Sequence, residues 1–246
     1  MTLADILRPS CALFLDFDGT LVDIAPQPHE VLVPPQMLAA VRSLHALLDG
    51  AVAVISGRPI AQIDGFLAPL RLPLAGVHGA ERRSADGTMV LLHTEPLDRV
   101  EHAAWALATR HPGLVVETKR GSLALHYRQA PELADTCLRA MQEAVDASPG
   151  VTLLHGKMVL EAKPGGASKG RAIEDFLAEP PFAGRTPVFI GDDVTDEAGF
   201  SAVQRLGGVG IKVGEGSTIA WRRLPDPAAL LRELEAAVAG SMARTA

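Results

Sequence analysis

The sequence predicts an α/β protein with a doubly wound, mostly parallel sheet, interrupted by a smaller α+β module. Three short apolar runs suit strands that are buried on both faces: Cys11–Leu15, Ala51–Ile55 and Pro187–Ile190. A helical pattern opened by Pro34 and Pro35 follows the first run. Strands that alternate with helices are typical of a parallel sheet, whose ligands bind beyond the carboxyl ends of the strands.

The segment from residue 82 to residue 164 shows a different pattern. Two helical stripes, which start at Leu97 and Leu133, accompany three segments in which apolar and polar residues alternate strictly: Leu114–Lys119, Leu123–Arg128 and Met158–Lys163. We therefore expect a largely antiparallel sheet with one face covered by two helices and one charged face. On this interpretation residues 1–81 and 165–246 form the core, and residues 82–164 form a cap domain inserted into it.

Composition and charge exclude some classes of partner. Of the 246 residues 48% are hydrophobic, and the formal net charge is −6, so neither a nucleic acid nor an anionic membrane is an expected partner. The first ten residues carry Asp5 and Arg8 and do not resemble a signal peptide. We expect a cytoplasmic protein and, without a long exposed apolar helix stripe, a monomer.

Asp16 and Asp18 give the strongest chemical signal. Two carboxylates two residues apart, directly after a buried strand, can converge on one point, where they repel each other unless they share a cation or a proton. Mg²⁺ binds carboxylate and phosphate oxygens, and a carboxylate can also attack phosphorus. An Asp-rich turn is the alternative interpretation. A calcium-binding loop is excluded, because Gly19 comes too early and no closing Glu follows.

A second acidic cluster, Gly191–Glu197, follows the last predicted strand. Its four acids in six positions repel one another unless a metal ion is present. The alternative is that these acidic residues only lie at a helix N-terminus, where the helix dipole favours negative charge. Because Asp16 and Asp18 follow a neighbouring strand, the pair of clusters favours a metal site.

Lys169 and Ser56 are candidates for binding phosphate. Lys169 precedes a predicted helix, Arg171–Leu177, although a cation at a helix N-terminus opposes the dipole. A bound phosphate would satisfy the lysine and the free backbone N–H groups, and the Ser56 hydroxyl could donate to a phosphate oxygen. A linker lysine and a turn serine are the alternatives. The glycine-rich segment Gly207–Gly214 lacks the strand–loop–helix order of a dinucleotide site.

Four segments, in order, resemble the four motifs of the haloacid dehalogenase superfamily of phosphatases: Asp16–Thr20, Ser56–Arg58, Lys169–Gly170 and Gly191–Glu197. The resemblance extends over residues 11–215. It is closest to the trehalose-6-phosphate phosphatase branch, on three further segments: Gly76–Ala80, Glu117–Arg128 and Gly156–Pro164.

This resemblance implies a Mg²⁺-dependent phosphatase that hydrolyses trehalose 6-phosphate, a phosphorylated disaccharide, through an aspartyl-phosphate. Asp16 would be the nucleophile, and Asp18 would act first as general acid and then as base. The metal would be held by Asp16, the Asp18 carbonyl and Asp192, with support from Asp196. The phosphate would be held by residues of the first three motifs: Gly19, Thr20, Ser56, Gly57 and Lys169.

The resemblance also implies a set of substrate contacts: Arg58, His78, Glu117, Lys119, Arg128, Glu161 and Lys163. Lys163 departs from the family pattern, which has arginine there; lysine keeps the charge but lacks the planar fork of a guanidinium. Independently of the family, mixed charges on one cap face suit a polyhydroxyl ligand, and an ordinary solvated sheet face is the alternative.

Other functions stay open at this point. A phosphatase of the same architecture could act on sucrose phosphate or mannosyl phosphoglycerate, and a mutase or phosphotransferase would use the same aspartyl-phosphate. A non-catalytic sugar-phosphate sensor would keep the pocket. The presence of both Asp16 and Asp18 argues against a sensor, because binding alone does not require a paired nucleophile and acid.

Overall fold

The structure is a computed structural model that describes residues 2–25, 27, 30–92, 97–119 and 121–245. The side chains of Lys119 and of residues 242–245 lie outside the described part. The chain divides into two compact units, Met1–Val90 with Ser168–Ala246, and Leu91–Ala167.

In the part of the first unit that the structure describes, eight strands form the sheet: β1 Cys11–Leu15, β2 Val52–Ile55, β3 Leu74–Gly76, β4 Glu81–Arg83, β5 Met89–Leu91, β10 Thr186–Gly191, β11 Val209–Val213 and β12 Arg222–Leu224. Their order in the sheet is β12-β11-β10-β1-β2-β3-β4-β5. All strands from β12 to β3 run parallel, and β4 is antiparallel to β3. The predicted mostly parallel sheet is thereby confirmed.

Helices cover the sheet of the first unit. Every residue of β1 and β2 is buried, and successive strand residues point to opposite faces, so both faces are covered. Phe14 of β1 stacks on Phe182 with ring centroids 5.4 Å apart. The helices of this unit are α1 Leu3–Ile6, α2 Pro35–Leu47, α3 Ile60–Leu67, α6 Lys169–Leu177, α7 Glu197–Arg205 and α8 Pro227–Thr245.

Among its described residues, the second unit contains two α-helices and four strands: α4 Asp98–Arg110, β6 Val115–Lys119, β7 Ser122–His126, α5 Ala134–Asp146, β8 Val151–Gly156 and β9 Val159–Pro164. The strands form an antiparallel sheet in the order β6-β7-β9-β8, and the two helices pack on its apolar face. This agrees with the α+β module expected from the sequence.

Two boundaries differ from those expected. The second unit begins at Leu91 rather than at residue 82, because β4 and β5 extend the sheet of the first unit. It ends at Ala167, slightly beyond the expected position. Strand β8 was also not predicted from the sequence, whereas its hairpin partner β9 was expected.

Candidate active site

The carboxyl ends of three adjacent strands carry the predicted catalytic motifs. Strand β1 lies between β10 and β2, with Leu15 opposite Ile190 on one side and opposite Val54 on the other. The residues that follow these strands therefore emerge side by side. The chain leaves β1 towards β2 on one side and leaves β10 towards β11 on the other, so the topological switch point, where α/β proteins bind ligands, lies between β1 and β10.

Asp16 lies at the centre of this edge. Its side chain is buried, and its Oδ1 accepts a hydrogen bond from Lys169 Nζ at 2.7 Å. Carboxylate oxygens of Asp16, Asp192 and Asp196 lie within 4.8 Å of one another. Two acidic motifs that are far apart in sequence are therefore brought together, as the metal interpretation requires.

Lys169 bridges two of these carboxylates. Its Nζ lies 2.7 Å from Asp16 Oδ1 and 2.7 Å from Asp196 Oδ1, and all three side chains are buried. Lys169 is the first residue of α6, whereas the sequence placed it before a helix starting at Arg171. Ser168 caps this helix, because its Oγ accepts a hydrogen bond from Arg171 N at 3.0 Å.

Asp196 has a supporting position in the cluster. Its Oδ2 accepts hydrogen bonds from the backbone N–H groups of Asp192 and Asp193 at 3.0 and 2.9 Å, while its Oδ1 accepts from Lys169. A Cβ on Gly191 would overlap the Asp196 carboxylate, so this glycine permits the close approach. Asp196 thus holds the Asp192 loop and Lys169 in place, and its support of a metal site stays a prediction.

Burial and electrostatic interactions within this cluster shift the pKa values of its members. Burial, and then the Asp196 carboxylate, raise the pKa of Asp16 well above its ordinary value, although Lys169 acts in the opposite direction. Burial also raises the pKa of Asp192 to about 6. For Lys169, burial lowers the pKa, but Asp16 and Asp196 outweigh it and raise the pKa above its ordinary value.

The donor set fits a hard divalent cation. Asp16 and Asp192 offer carboxylate oxygens in a partly enclosed place, and carboxylates are ligands that such cations prefer. A bound cation would supply the positive charge that the three crowded carboxylates lack. The buried acidic cluster thus supports a metal-dependent enzyme.

Gly19 makes room for Asp192. Its φ is +75°, and a Cβ there would overlap Asp192 Oδ2. The N–H groups of Gly19 and Thr20 donate within the turn, to Val22 O at 2.8 Å and to Phe17 O at 3.4 Å. Their predicted phosphate contacts stay predictions, and the structure adds a packing reason for the glycine.

Gly19→Ala is expected to lower kcat at least about a hundredfold, because the new Cβ would displace the Asp192 carboxylate. Gly87→Ala is the matched control, since Gly87 has a similar φ of +89° but no described residue within 4 Å of an added Cβ. Both variants should lose similar stability from backbone strain. Phosphate release and thermal unfolding check this, and equal activity in the two variants would contradict it.

Ser56 and Gly57 form the second motif, directly after β2. The Ser56 side chain is buried, and its Oγ accepts a hydrogen bond from the N–H of Arg58 at 3.1 Å. A Cβ on Gly57 would lie 2.7 Å from two atoms of the His78 ring. His78 is thus placed beside the second motif, a position that no sequence pattern specified.

Asp18 and Arg58 form an ion pair with each other. Arg58 Nε donates to Asp18 Oδ2 at 2.6 Å, and Arg58 Nη2 donates to Oδ1 at 2.7 Å. The guanidinium also lies 5.9 Å from the Phe17 ring centre and 5.3 Å from that of Phe66. The family resemblance implies that Arg58 contacts the substrate and that Asp18 does acid–base chemistry, and it does not predict their pairing.

A comparison with known families identifies the chain. The model of the trehalose-phosphatase family matches residues 14–226, which is most of the sequence. The chain belongs to the trehalose-phosphatase family. It is therefore a phosphatase, a phosphoric monoester hydrolase, as the four motifs predicted.

Relatives and solved structures agree with this membership. The chain is 45% identical to the trehalose-6-phosphate phosphatase of Escherichia coli over 219 residues, covering 88% of this chain and 82% of the relative. A solved trehalose-6-phosphate phosphatase related protein shares 27% identity at a TM-score of 0.79, with 95% and 99% of the chains covered. A phosphatase of the HAD superfamily from Bacteroides thetaiotaomicron, 16% identical with a TM-score of 0.61 over 92% and 94% of the chains, shares the fold.

The second unit of this trehalose-phosphatase family member contains five of the residues that were predicted to contact a sugar, and these contacts stay predictions: Glu117, Lys119, Arg128, Glu161 and Lys163. Glu117 and Glu161 are both paired with Ala124 in the sheet register, so they lie on one face. Glu117 pairs with His126 at 3.0 Å, and Glu161 accepts a hydrogen bond from Ser122 Oγ at 2.9 Å. The predicted polar face therefore exists within this unit.

The other predicted contacts of this unit differ in their surroundings. Lys163 is buried, and its Nζ donates to the carbonyl oxygen of Ala167, so it is less accessible than a sugar-binding lysine on an open face would be. Arg128 is exposed and follows the end of β7. Lys119 is the last residue of β6, and its side chain lies outside the described residues.

Lys212 is a residue at the site that the sequence analysis missed. It lies in β11 opposite Gly191, is buried, and donates from Nζ to the backbone carbonyl of Asp192. The glycines of Gly207–Gly214 instead suggest a comparison with a dinucleotide loop. A lysine within the otherwise apolar strand Val209–Val213 was the available signal, because a buried cation needs an acceptor.

Among the described residues, no helix is both long and apolar enough to cross a membrane.

Proposed function

We propose that this protein hydrolyses trehalose 6-phosphate to trehalose and inorganic phosphate, with Asp16 as the nucleophile and Mg²⁺ as the cofactor. The observation that carries the proposal is the buried Asp16 carboxylate at the end of the central strand, in contact with Lys169 and beside Asp192. The substrate follows from membership of the trehalose-phosphatase family and the 45% identity to the Escherichia coli trehalose-6-phosphate phosphatase.

The first chemical step transfers the phosphoryl group to the protein. A carboxylate oxygen of Asp16 attacks phosphorus, the bond from phosphorus to the sugar oxygen breaks, and an aspartyl-phosphate forms. Asp18 gives a proton to the departing sugar oxygen, for which it must leave its pair with Arg58. Lys169 and the Ser56 hydroxyl hold phosphoryl oxygens in position.

The second step regenerates Asp16. Asp18, now ionised, removes a proton from a water molecule, whose oxygen attacks phosphorus and releases inorganic phosphate. Asp16 and Asp192 would hold Mg²⁺, which supplies positive charge that offsets the charge of the phosphoryl group during transfer. Asp196 keeps Lys169 and the Asp192 loop aligned throughout both steps.

The sugar contacts belong to the same proposal. Arg58 and His78 in the first unit, and Glu117, Arg128 and Glu161 in the second, are proposed to bind hydroxyl groups of the disaccharide. Lys119 and Lys163 were predicted with them, and they remain part of the proposed set.

A panel of phosphate esters tests the proposal. With Mg²⁺ present, phosphate release from trehalose 6-phosphate should exceed release from sucrose phosphate, mannosyl phosphoglycerate and glucose 6-phosphate by at least about tenfold in kcat/KM. Chelation with EDTA should lower the rate at least about a hundredfold, and added Mg²⁺ should restore it.

Each rival function predicts a different outcome of this panel. Preference for another ester would replace the substrate and leave the mechanism intact. Tight Mg²⁺-dependent binding of trehalose 6-phosphate without phosphate release would favour a sensor. Appearance of a different sugar phosphate in place of inorganic phosphate would favour a mutase or phosphotransferase.

A further inference from the structure

The short turn between β3 and β4 holds two residues in a strained conformation. Val77 has φ +48° and His78 has φ +54°, and both lie inside the 3₁₀ turn Val77–Gly79. Residues other than glycine rarely adopt positive φ, and a β-branched residue such as valine does so least readily. Such strain persists only where surrounding contacts hold it in place, so the contacts of this turn indicate what it does.

On one side the turn is bonded to the second motif. The N–H of His78 donates to Ser56 O at 2.9 Å, and the N–H of Val77 donates to Arg58 O at 3.1 Å. These two hydrogen bonds hold the backbone on both sides of Gly57. The loop that presents the Ser56 hydroxyl is therefore fixed to the strained turn.

The His78 ring lies directly against Gly57. The three heavy atoms nearest to a Cβ added to Gly57 all belong to this ring, with Cε1 and Nε2 at 2.7 Å. Real Cβ atoms essentially never approach a neighbour so closely. Gly57 does not have the positive φ that would itself require glycine, so the ring is the obstacle to a side chain at this position.

On its other side the turn lies against the start of α6. A Cβ on Gly79 would lie 3.1 Å from Ser168 O and 3.2 Å from Ala172 Cβ. Ser168 caps the helix whose first residue is Lys169. The turn thus touches both elements that carry the proposed phosphate ligands, Ser56 and Lys169, and all of these residues belong to the first unit.

We propose that His78 is a positioning residue. Its ring supports the Ser56–Arg58 loop, and the strained turn that holds the ring also packs against the start of α6. Together these contacts set the phosphate-binding geometry. This inference rests on the proposed phosphate roles of Ser56 and Lys169. It assigns His78 an effect on the phosphoryl group, which a contact with the sugar alone would not have. It also assigns Gly57 the role of accommodating the ring.

A double-mutant cycle between Gly57→Ala and His78→Asn tests the contact between the His78 ring and Gly57. Asparagine tolerates positive φ better than most residues and is smaller than histidine, so it keeps the turn and removes the ring. The measurements are the affinity for inorganic phosphate by calorimetry in Mg²⁺, kcat and KM for trehalose 6-phosphate, and thermal unfolding. His78→Gly, which accepts positive φ without strain, replaces His78→Asn if that variant does not fold.

We expect Gly57→Ala to weaken inorganic phosphate binding about tenfold and to lower kcat by a similar factor, because the loop must shift. We expect His78→Asn to weaken phosphate binding about threefold, and the double variant to stay within about twofold of His78→Asn. Gly65→Ala is the control, because no described residue lies within 4 Å of a Cβ added to Gly65. The phosphate affinity of this variant should equal that of the parent protein.

Three results would overturn the inference. Gly57→Ala could weaken inorganic phosphate binding by the same factor in the His78→Asn background as in the parent protein. It could also leave phosphate binding in the parent protein unchanged. His78→Asn could alter kcat or KM for trehalose 6-phosphate while leaving inorganic phosphate affinity unchanged, which would make His78 a sugar contact only. Failure of the proposed function would look different, because the parent protein itself would then release no phosphate.

Discussion

Asp16→Asn is expected to abolish phosphate release, with a loss of at least about a thousandfold in kcat, while the fold survives. An amide nitrogen or oxygen cannot replace the carboxylate as the attacking group. The fold should survive because asparagine still offers an oxygen to Lys169 Nζ, which lies 2.7 Å from Asp16 Oδ1 in the parent. Loss of one negative charge also relieves repulsion from Asp196 and Asp192.

Asp193→Asn is the matched control for this prediction. Asp193 belongs to the acidic motif of Asp192 and Asp196 but is exposed, and its Oδ1 accepts a hydrogen bond from Val194 N at 2.7 Å, which asparagine can also accept. The control should retain most of its activity. Full activity of Asp16→Asn, with confirmed sequence and no residual parent protein, would eliminate Asp16 as the nucleophile.

Lys169→Met is expected to reduce both stability and activity. Removal of the ammonium leaves the buried carboxylates of Asp16 and Asp196 without their shared partner, 2.7 Å away from each in the parent. Breaking a buried pair on one side typically costs about 3–5 kcal/mol in the free energy of unfolding. Activity should fall at least about a hundredfold, because a cation that holds the phosphoryl group is lost.

Two further variants separate these effects. Lys157→Met removes the same charge from an exposed lysine and should change neither stability nor activity. Lys169→Met combined with Asp196→Asn removes one of the two buried carboxylates that have lost their cationic partner. This double variant should recover part of the lost stability without recovering activity. Denaturant unfolding and phosphate release measure both quantities. Unchanged stability of Lys169→Met would contradict the ion-pair network described above.

The parts of the fold that were predictable share a simple physical signal. β1, β2 and β10 are short, largely apolar runs that polar residues follow directly, because a strand buried on both faces has few polar positions before its carboxyl end. The motifs at these ends could therefore be assigned to one edge of a sheet. Their convergence on Asp16 follows from the parallel arrangement and from the position of β1 beside β10 and β2.

The features that could not be predicted depend on contacts between distant residues. The pair of Asp18 with Arg58 joins two motifs whose side-chain directions no sequence pattern specifies. The start of α6 at Lys169 was missed because the cation opposes the helix dipole; in the folded chain Asp16 and Asp196 compensate it. The strained turn at His78 likewise depends on hydrogen bonds to Ser56 and Arg58, which only the tertiary structure provides.

The identity of the phosphorylated residue tests the central claim most directly. An aspartyl-phosphate can be trapped by acid quenching during turnover of trehalose 6-phosphate and reduced with borohydride, which converts the phosphorylated aspartate to homoserine. Mass spectrometry of the digested chain then locates the modified position. We predict homoserine at position 16 in the parent protein and its absence in Asp16→Asn. Homoserine at position 18 or 192, with aspartate retained at position 16, would contradict the account.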